Sequence, residues 1–351
     1  MDDNQGTTVL VTGSTGYIAR HVVVQLLDAG YTVRGTARST SSLAGLRSDL
    51  TPFLADPSSI DRFDLVGADL TREQGWSEAV SGCTFVHHVA SPIPAAPPKD
   101  PDELIVPARD GTVRVLRASL DAGVRRVVLT SSLAAVLYGV DRSGKVFTEA
   151  DWSNPDDPRI GAYERSKTIA ERAAWAFMAE EAADRMELVT VNPGLVLGPM
   201  FGSATSTSNE AVGKLMNRDF PACPDFTYSM VDARDVAAAH VAAMAAPTAA
   251  GQRFICGLDS RSLRDVAAIL AREYGPRGYK VPTGRLPNFV VRIVATFDKT
   301  AALALNDLSN PQRVDPANVT ALLGRPLRSL DEMTVAMADS LIAYGLVKSP
   351  R

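Results

Sequence analysis

A chain of 351 residues with 46% apolar and 22% charged side chains can bury a sizeable core, and its composition excludes wholesale disorder. Its net charge of −4, with the basic residues scattered, speaks against nucleic acid as the main partner, because phosphate neutralisation needs a concentrated basic surface. Three separated cysteines (Cys83, Cys223, Cys256) and four histidines supply neither a disulfide framework nor a metal-ligand spacing, and no uncharged apolar run reaches the ~20 residues that span a bilayer.

The acidic, polar start "MDDNQGTTVLVTG" is unlike a signal peptide, so the expectation is a cytoplasmic protein with no metal and no membrane partner. "TTVLVTG" (7–13) reads as a buried strand, followed by a helical stripe through Ile18, Val22 and Leu26 that closes near Gly30. Further strands are predicted at 31–38, 62–70, 83–91, 125–132 and 187–199. Helices separate them, the clearest at 110–123 and in "GAYERSKTIAERAAW" (161–175). Alternation of strand and helix predicts an α/β, doubly wound parallel sheet covered on both faces, a Rossmann arrangement. Beyond Pro199 the texture changes: a small polar stretch precedes elements at 230–244, 252–257, 262–275 and 329–345. The expected organisation is a dinucleotide-binding domain over 1–199, a smaller interleaved substrate lobe over 200–351, and a return of 228–256 to the first unit.

The first strand runs into "TGSTGYIA", where Gly13, Gly16 and Ala19 have a G-x-x-G-x-x-A spacing. Small residues allow a tight turn and close approach of a pyrophosphate, at which the helix aims free N–H groups and its positive dipole end. The position after a strand and before a helix is what gives the motif meaning. Thr15, Tyr17 and Ile18 open that helix and are expected beside the same phosphates. At the end of the second strand an acidic residue would bind the adenosine ribose; here Ala37 stands there, followed by Arg38 and Ser39. An arginine pairs with a 2′-phosphate, so the predicted cofactor is NADPH/NADP. Asp69 and Leu70 are expected at the adenine edge; Val89, Ala90 and Ser91 are expected under the cofactor.

The fifth strand ends in "LTSS", which brings Thr130, Ser131 and Ser132 to the edge where open α/β sheets bind ligands. Tyr163 and Lys167 lie four apart on one helical face. A carbonyl that accepts hydride develops negative charge on oxygen. Tyr163 is expected to donate the proton, Ser132 to hydrogen-bond the oxyanion, and Lys167 to lower the phenol pKa from about 10 and hold the nicotinamide ribose.

"TGSTGYIA", "LTSS" and "YERSK" resemble the extended short-chain dehydrogenase/reductase superfamily. "VRGTARST", "HHVASP", "TEADWSNP" and "NPGLVLGP" narrow the likeness to its branch of dihydroflavonol, cinnamoyl-CoA and yeast methylglyoxal (ketone) reductases. The resemblance spans essentially the whole chain, more strongly through residue 199. It implies catalytic roles for Ser132, Tyr163 and Lys167 and nicotinamide contacts at Pro193, Leu195 and Val196. Where plant dihydroflavonol reductases carry an asparagine for flavonoid hydroxyls, this chain has Leu137. That speaks against a dedicated flavonoid reductase and for an apolar pocket with Ile93, Tyr138, Met200 and Phe201.

The leading expectation is an NADPH-dependent carbonyl reductase, reversible as an alcohol dehydrogenase, acting on hydrophobic aldehydes or ketones as a monomer or homodimer. A hydroxysteroid dehydrogenase stands close to it. An NAD-dependent sugar-nucleotide epimerase or dehydratase would want an acid at position 37, and a non-catalytic NADPH sensor would not need all three catalytic residues.

Overall fold

The structure is a computed structural model that describes residues 4, 6–92, 98–203, 207–219, 221–297, 302 and 304–350. Seven parallel strands form its central sheet: β1 (Thr8–Val11), β2 (Thr32–Ala37), β3 (Phe63–Gly67), β4 (Phe85–His88), β5 (Arg126–Thr130), β6 (Glu187–Pro193) and, later in the chain, Arg253–Cys256. Their spatial order is β3-β2-β1-β4-β5-β6 and then Arg253–Cys256 at the edge. The order reverses between β1 and β4, which opens a crevice at the strands' carboxyl ends where doubly wound sheets bind ligands.

Both faces of the sheet are covered, so its strands read as near-continuous apolar runs. Val9 and Val11 of β1 join a core with α1 (Tyr17–Asp28), α2 (Leu43–Leu50) and the helix Ala233–Ala245. Leu10, between them, faces the other way into a second core with α3 (Trp76–Val80), α4 (Asp102–Asp121) and α5 (Ala162–Phe177). Alternate residues of one strand thus anchor opposite helical layers.

The sequence predicts a helix at 110–123, yet α4 begins eight residues earlier and carries Pro107 inside it. Pro101 at its N-cap and the acids Asp102 and Glu103 in its first turn favour that early start, and buried Leu104, Ile105 and Ala108 reward it. Outside the sheet, Leu197, Met200, Val212, Leu215 and Met230 share a third core with the helices Leu263–Tyr274 and Leu330–Ala343. Each of these two helices opens with a reciprocal capping box, Ser262 with Asp265 and Ser329 with Glu332. Chain from 233 to 256 returns to the sheet: the helix Ala233–Ala245 packs on α1, and Arg253–Cys256 pairs with β6. No helix among the described residues is long and apolar enough to cross a membrane.

Candidate active site

The turn after β1 is built for close approach. Gly13 has φ +66°, and a Cβ there would lie 3.0 Å from Ala90, so a larger residue would collide with the chain leaving β4. Thr12 fastens the two strand ends together. Its Oγ1 accepts from the backbone N–H of Val89 and Ala90 at 3.0 and 2.9 Å and lies 2.9 Å from His88 Nδ1. Gly16 is the N-cap of α1 and supplies no side-chain cap, which leaves the first N–H groups of Tyr17, Ile18 and Ala19 for a ligand. Thr15 is exposed beside them, and the Tyr17 hydroxyl donates to Gly198 O at 2.8 Å. A pyrophosphate fits this cradle because neither a Cβ nor a capping side chain fills it.

Arg38 projects from the end of β2, exposed, and forms no hydrogen bond or ion pair among the described residues. Ser39 caps the short turn that follows, its Oγ accepting from Ser41 N. Asp69 is turned back on its own loop, where hydrogen bonds from Thr71 lead in holding its carboxyl below the usual range, with smaller help from Arg72 and Arg38. Leu70 packs against Gly111 of α4.

At the other end of the crevice, Ser132 follows β5. Its Oγ accepts from Ala134 N at 3.1 Å, which leaves its proton free to donate. Tyr163 stands in the first turn of α5, near enough to Ser132 for that side chain to act on its phenol. Lys167, one turn on, is buried. It borders a cavity of about 20 Å³ together with Ala90, Ser91, Thr130, Ser131 and Glu171. The glycine turn, the β4 exit and the α5 face therefore meet along one edge.

The electrostatics depart from expectation. Tyr163 keeps 37% of its surface exposed, but burial of its phenol still raises the pKa above the ordinary value; the Ser132 hydrogen bond opposes this and the Glu164 charge adds to it. The predicted lowering is not what the chain alone produces, because desolvation outweighs the favourable partners. Burial brings Lys167 down to about 8, against an upward pull from Glu171. His88, pushed to about 3 by burial and then by Lys167, stays neutral.

The described residues expected to form an apolar pocket are buried. Leu137 is fully buried in a core with Leu133, Val136 and Phe147. Tyr138 is buried with its hydroxyl 3.0 and 3.1 Å from the Asp307 carboxylate oxygens. Met200 belongs to the third core, and Phe201 stacks on Phe53 at 4.2 Å and lies tilted against His21 at 4.1 Å beside α1. These side chains satisfy their apolar surface by packing. Ile93 lies outside the described residues. Pro193 and Val196 are buried and Leu195 half-buried, around Gly194, whose Cβ would stand 2.1 Å from Ser229 O.

Sequence reading missed Thr12 and the carboxylate of Glu171. Glu171 was within reach of the same logic, since 163, 167 and 171 repeat the four-residue spacing along α5.

Residues 9–257 match the NAD dependent epimerase/dehydratase family. The chain is 36% identical over 283 residues to cinnamoyl-CoA reductase 1 of Petunia hybrida, covering 79% of this chain and 80% of that one. It is 34% identical over 283 residues to dihydroflavonol 4-reductase of Zea mays, covering 78% and 76%. Its fold is similar to that of yeast methylglyoxal/isovaleraldehyde reductase Gre2 complexed with NADPH, with a TM-score of 0.79, 27% identity and coverage of 97% and 100%. The chain belongs to the NAD dependent epimerase/dehydratase family and, within it, to the extended short-chain reductases that include the cinnamoyl-CoA and dihydroflavonol reductases, as an NAD(P)-dependent oxidoreductase.

Proposed function

We propose that this chain is an NADPH-dependent carbonyl reductase that converts hydrophobic aldehydes or ketones to alcohols, with Tyr163 as proton donor. The observation that carries the reading is the Ser132–Tyr163 pair with Lys167 one turn away, on the edge that also holds the open glycine turn. Among the relatives, the yeast reductase is named for two aldehydes and complexed with NADPH.

When bound, the reduced nicotinamide supplies hydride to the carbonyl carbon. Gly13, Gly16 and the free N–H groups of α1 hold the pyrophosphate. Arg38 takes the 2′-phosphate, for which the absence of an acid at Ala37 leaves room. Ser132, free to donate, hydrogen-bonds the carbonyl oxygen as charge grows there. Tyr163 delivers the proton; its raised pKa in the chain alone keeps it protonated and ready to give. Lys167, one turn from Tyr163 on α5, would hold the nicotinamide ribose, and its positive charge would favour the phenolate left after transfer.

The test is loss of NADPH absorbance with a panel of aliphatic and aromatic aldehydes and ketones, with a cinnamoyl thioester included. Wild type turns over at least one carbonyl class, and Tyr163→Phe lowers kcat/KM by about 10²–10⁴-fold. A panel with no turnover above that variant contradicts the assignment. Turnover of the thioester alone would move the substrate class to acyl-CoA.

A further inference from the structure

Three segments converge on one buried carboxylate. Glu171, one turn beyond Lys167 on α5, has a fully buried side chain. Its Oε2 accepts from Ser131 Oγ at 2.5 Å and from Asn192 Nδ2 at 2.7 Å. Its Oε1 accepts from Arg253 Nε at 2.7 Å and lies 3.1 Å from Thr190 Oγ1. The carboxylate's acceptor sites are thus filled from β5's end, β6 and the edge strand Arg253–Cys256.

Three of these partners lead to Ser132. Ser131 is its neighbour, and Asn192 Nδ2 also lies 3.3 Å from the Ser132 carbonyl oxygen. Arg253 reaches it by a longer route. Arg253 Nη1 donates to the carbonyls of Glu149 and Asp151 at 2.6 and 2.7 Å, and its guanidinium lies 3.8 Å above the Trp152 ring. That fixes the loop leading to Ser153. Ser153 Oγ donates to Ala134 O at 2.8 Å and accepts from Tyr138 N at 2.8 Å, which holds the chain just after Ser132. The "TEADW" stretch therefore buttresses the serine through Arg253.

We propose that Glu171 is a positioning residue for the reduction, setting where the Ser132 hydroxyl stands relative to the Tyr163 phenol on the same helix. The inference rests on the reductase reading of Ser132 and Tyr163. Tyr163 and Glu171 share one rigid helix, so anchoring Ser132's flanks to Glu171 fixes a strand-to-helix distance within a single span. A buried ion pair gives little stability relative to an apolar pair of similar size. Placement is what its hydrogen bonds supply, and a misplacement of about 1 Å can cost on the order of 10² in rate.

The experiment measures kcat, KM for NADPH and thermal midpoint for wild type, Glu171→Gln, Glu171→Gln/Arg253→Met and Ser131→Ala. Glu171→Gln is expected to lower kcat by about 10–100-fold with KM for NADPH within about 2-fold of wild type. The double variant removes both charges, so its thermal midpoint recovers toward wild type while kcat stays low. A purely structural role would make kcat recover with stability, and that result overturns the proposal. Wild-type kcat in Glu171→Gln overturns it too. Should neither Glu171 variant fold, Ser131→Ala decides: kcat at least 3-fold lower at unchanged KM supports the proposal, and wild-type kcat contradicts it. If wild type itself reduces no carbonyl, the reductase reading has failed, which is a separate result.

Discussion

At the scale of single residues, the site keeps its chemistry at a cost in stability. Lys167 has a pKa near 8 in the folded chain against about 10.4 when exposed, because burial penalises its charge more than Glu171 favours it. Between those values the unfolded chain binds the proton more readily, so near neutrality this lysine works against folding. Lys167→Met is therefore expected to abolish turnover while raising the thermal midpoint by a few degrees, measured by scanning fluorimetry. A variant that loses both activity and stability would mean the ammonium has a structural partner. Arg38 presents the opposite case, exposed and uncommitted. A charge-assisted bond is worth roughly 1.5–3 kcal/mol, so Arg38→Asp should raise KM for NADPH by about 10–100-fold and leave KM for NADH much less affected. Equal changes for the two cofactors would remove Arg38 from 2′-phosphate recognition.

At the scale of elements, α1 and α5 were legible because their apolar periodicity matches a helix packed on a sheet, and the strands because β-branched runs have few other uses in such an alternation. The glycine turn was legible for a steric reason, the contact of Gly13 with Ala90. The early start of α4 was not, since a proline inside a helical pattern normally marks a boundary. The burial of Leu137 and Met200 was not legible either. Chain neighbours of the site such as Leu137 and Met200 belong to cores assembled from distant segments, and nothing local distinguishes a lining leucine from a packed one. The carboxylate hub joins positions 131, 171, 192 and 253, a convergence no local spacing announces. Gly194 between β6 and Leu195 gives a sharp test of how tightly the segment from Pro193 to Val196 is held. With Ser229 O only 2.1 Å from the site of a Cβ, Gly194→Ala should lower the thermal midpoint by several degrees. An unchanged midpoint would show that this backbone yields easily.

At the scale of the whole molecule, the buried histidines govern response to acid. Burial brings His21 to about 4 and His240 to about 3, and His88 to about 3 with help from Lys167. Unfolded histidines titrate near 6.5, so below that pH the unfolded chain takes up protons that the folded chain refuses. Stability falls as pH drops through 6.5, each histidine costing up to about 2 kcal/mol by pH 5. The thermal midpoint should accordingly drop by roughly 10 °C or more between pH 7 and pH 5. A flat profile over that interval would mean that these imidazoles gain protons without unfolding.

The account as a whole depends on hydride reaching a carbonyl carbon beside the Tyr163 phenol. Its most direct test is a reaction with NADPH deuterated on the transferred C4 position, with the alcohol product analysed by mass spectrometry for wild type and Tyr163→Phe. The account predicts one deuterium on the former carbonyl carbon in the wild-type product, and product formation at least 100-fold slower in the variant. An alcohol without deuterium, or equal rates for the two proteins, would contradict it.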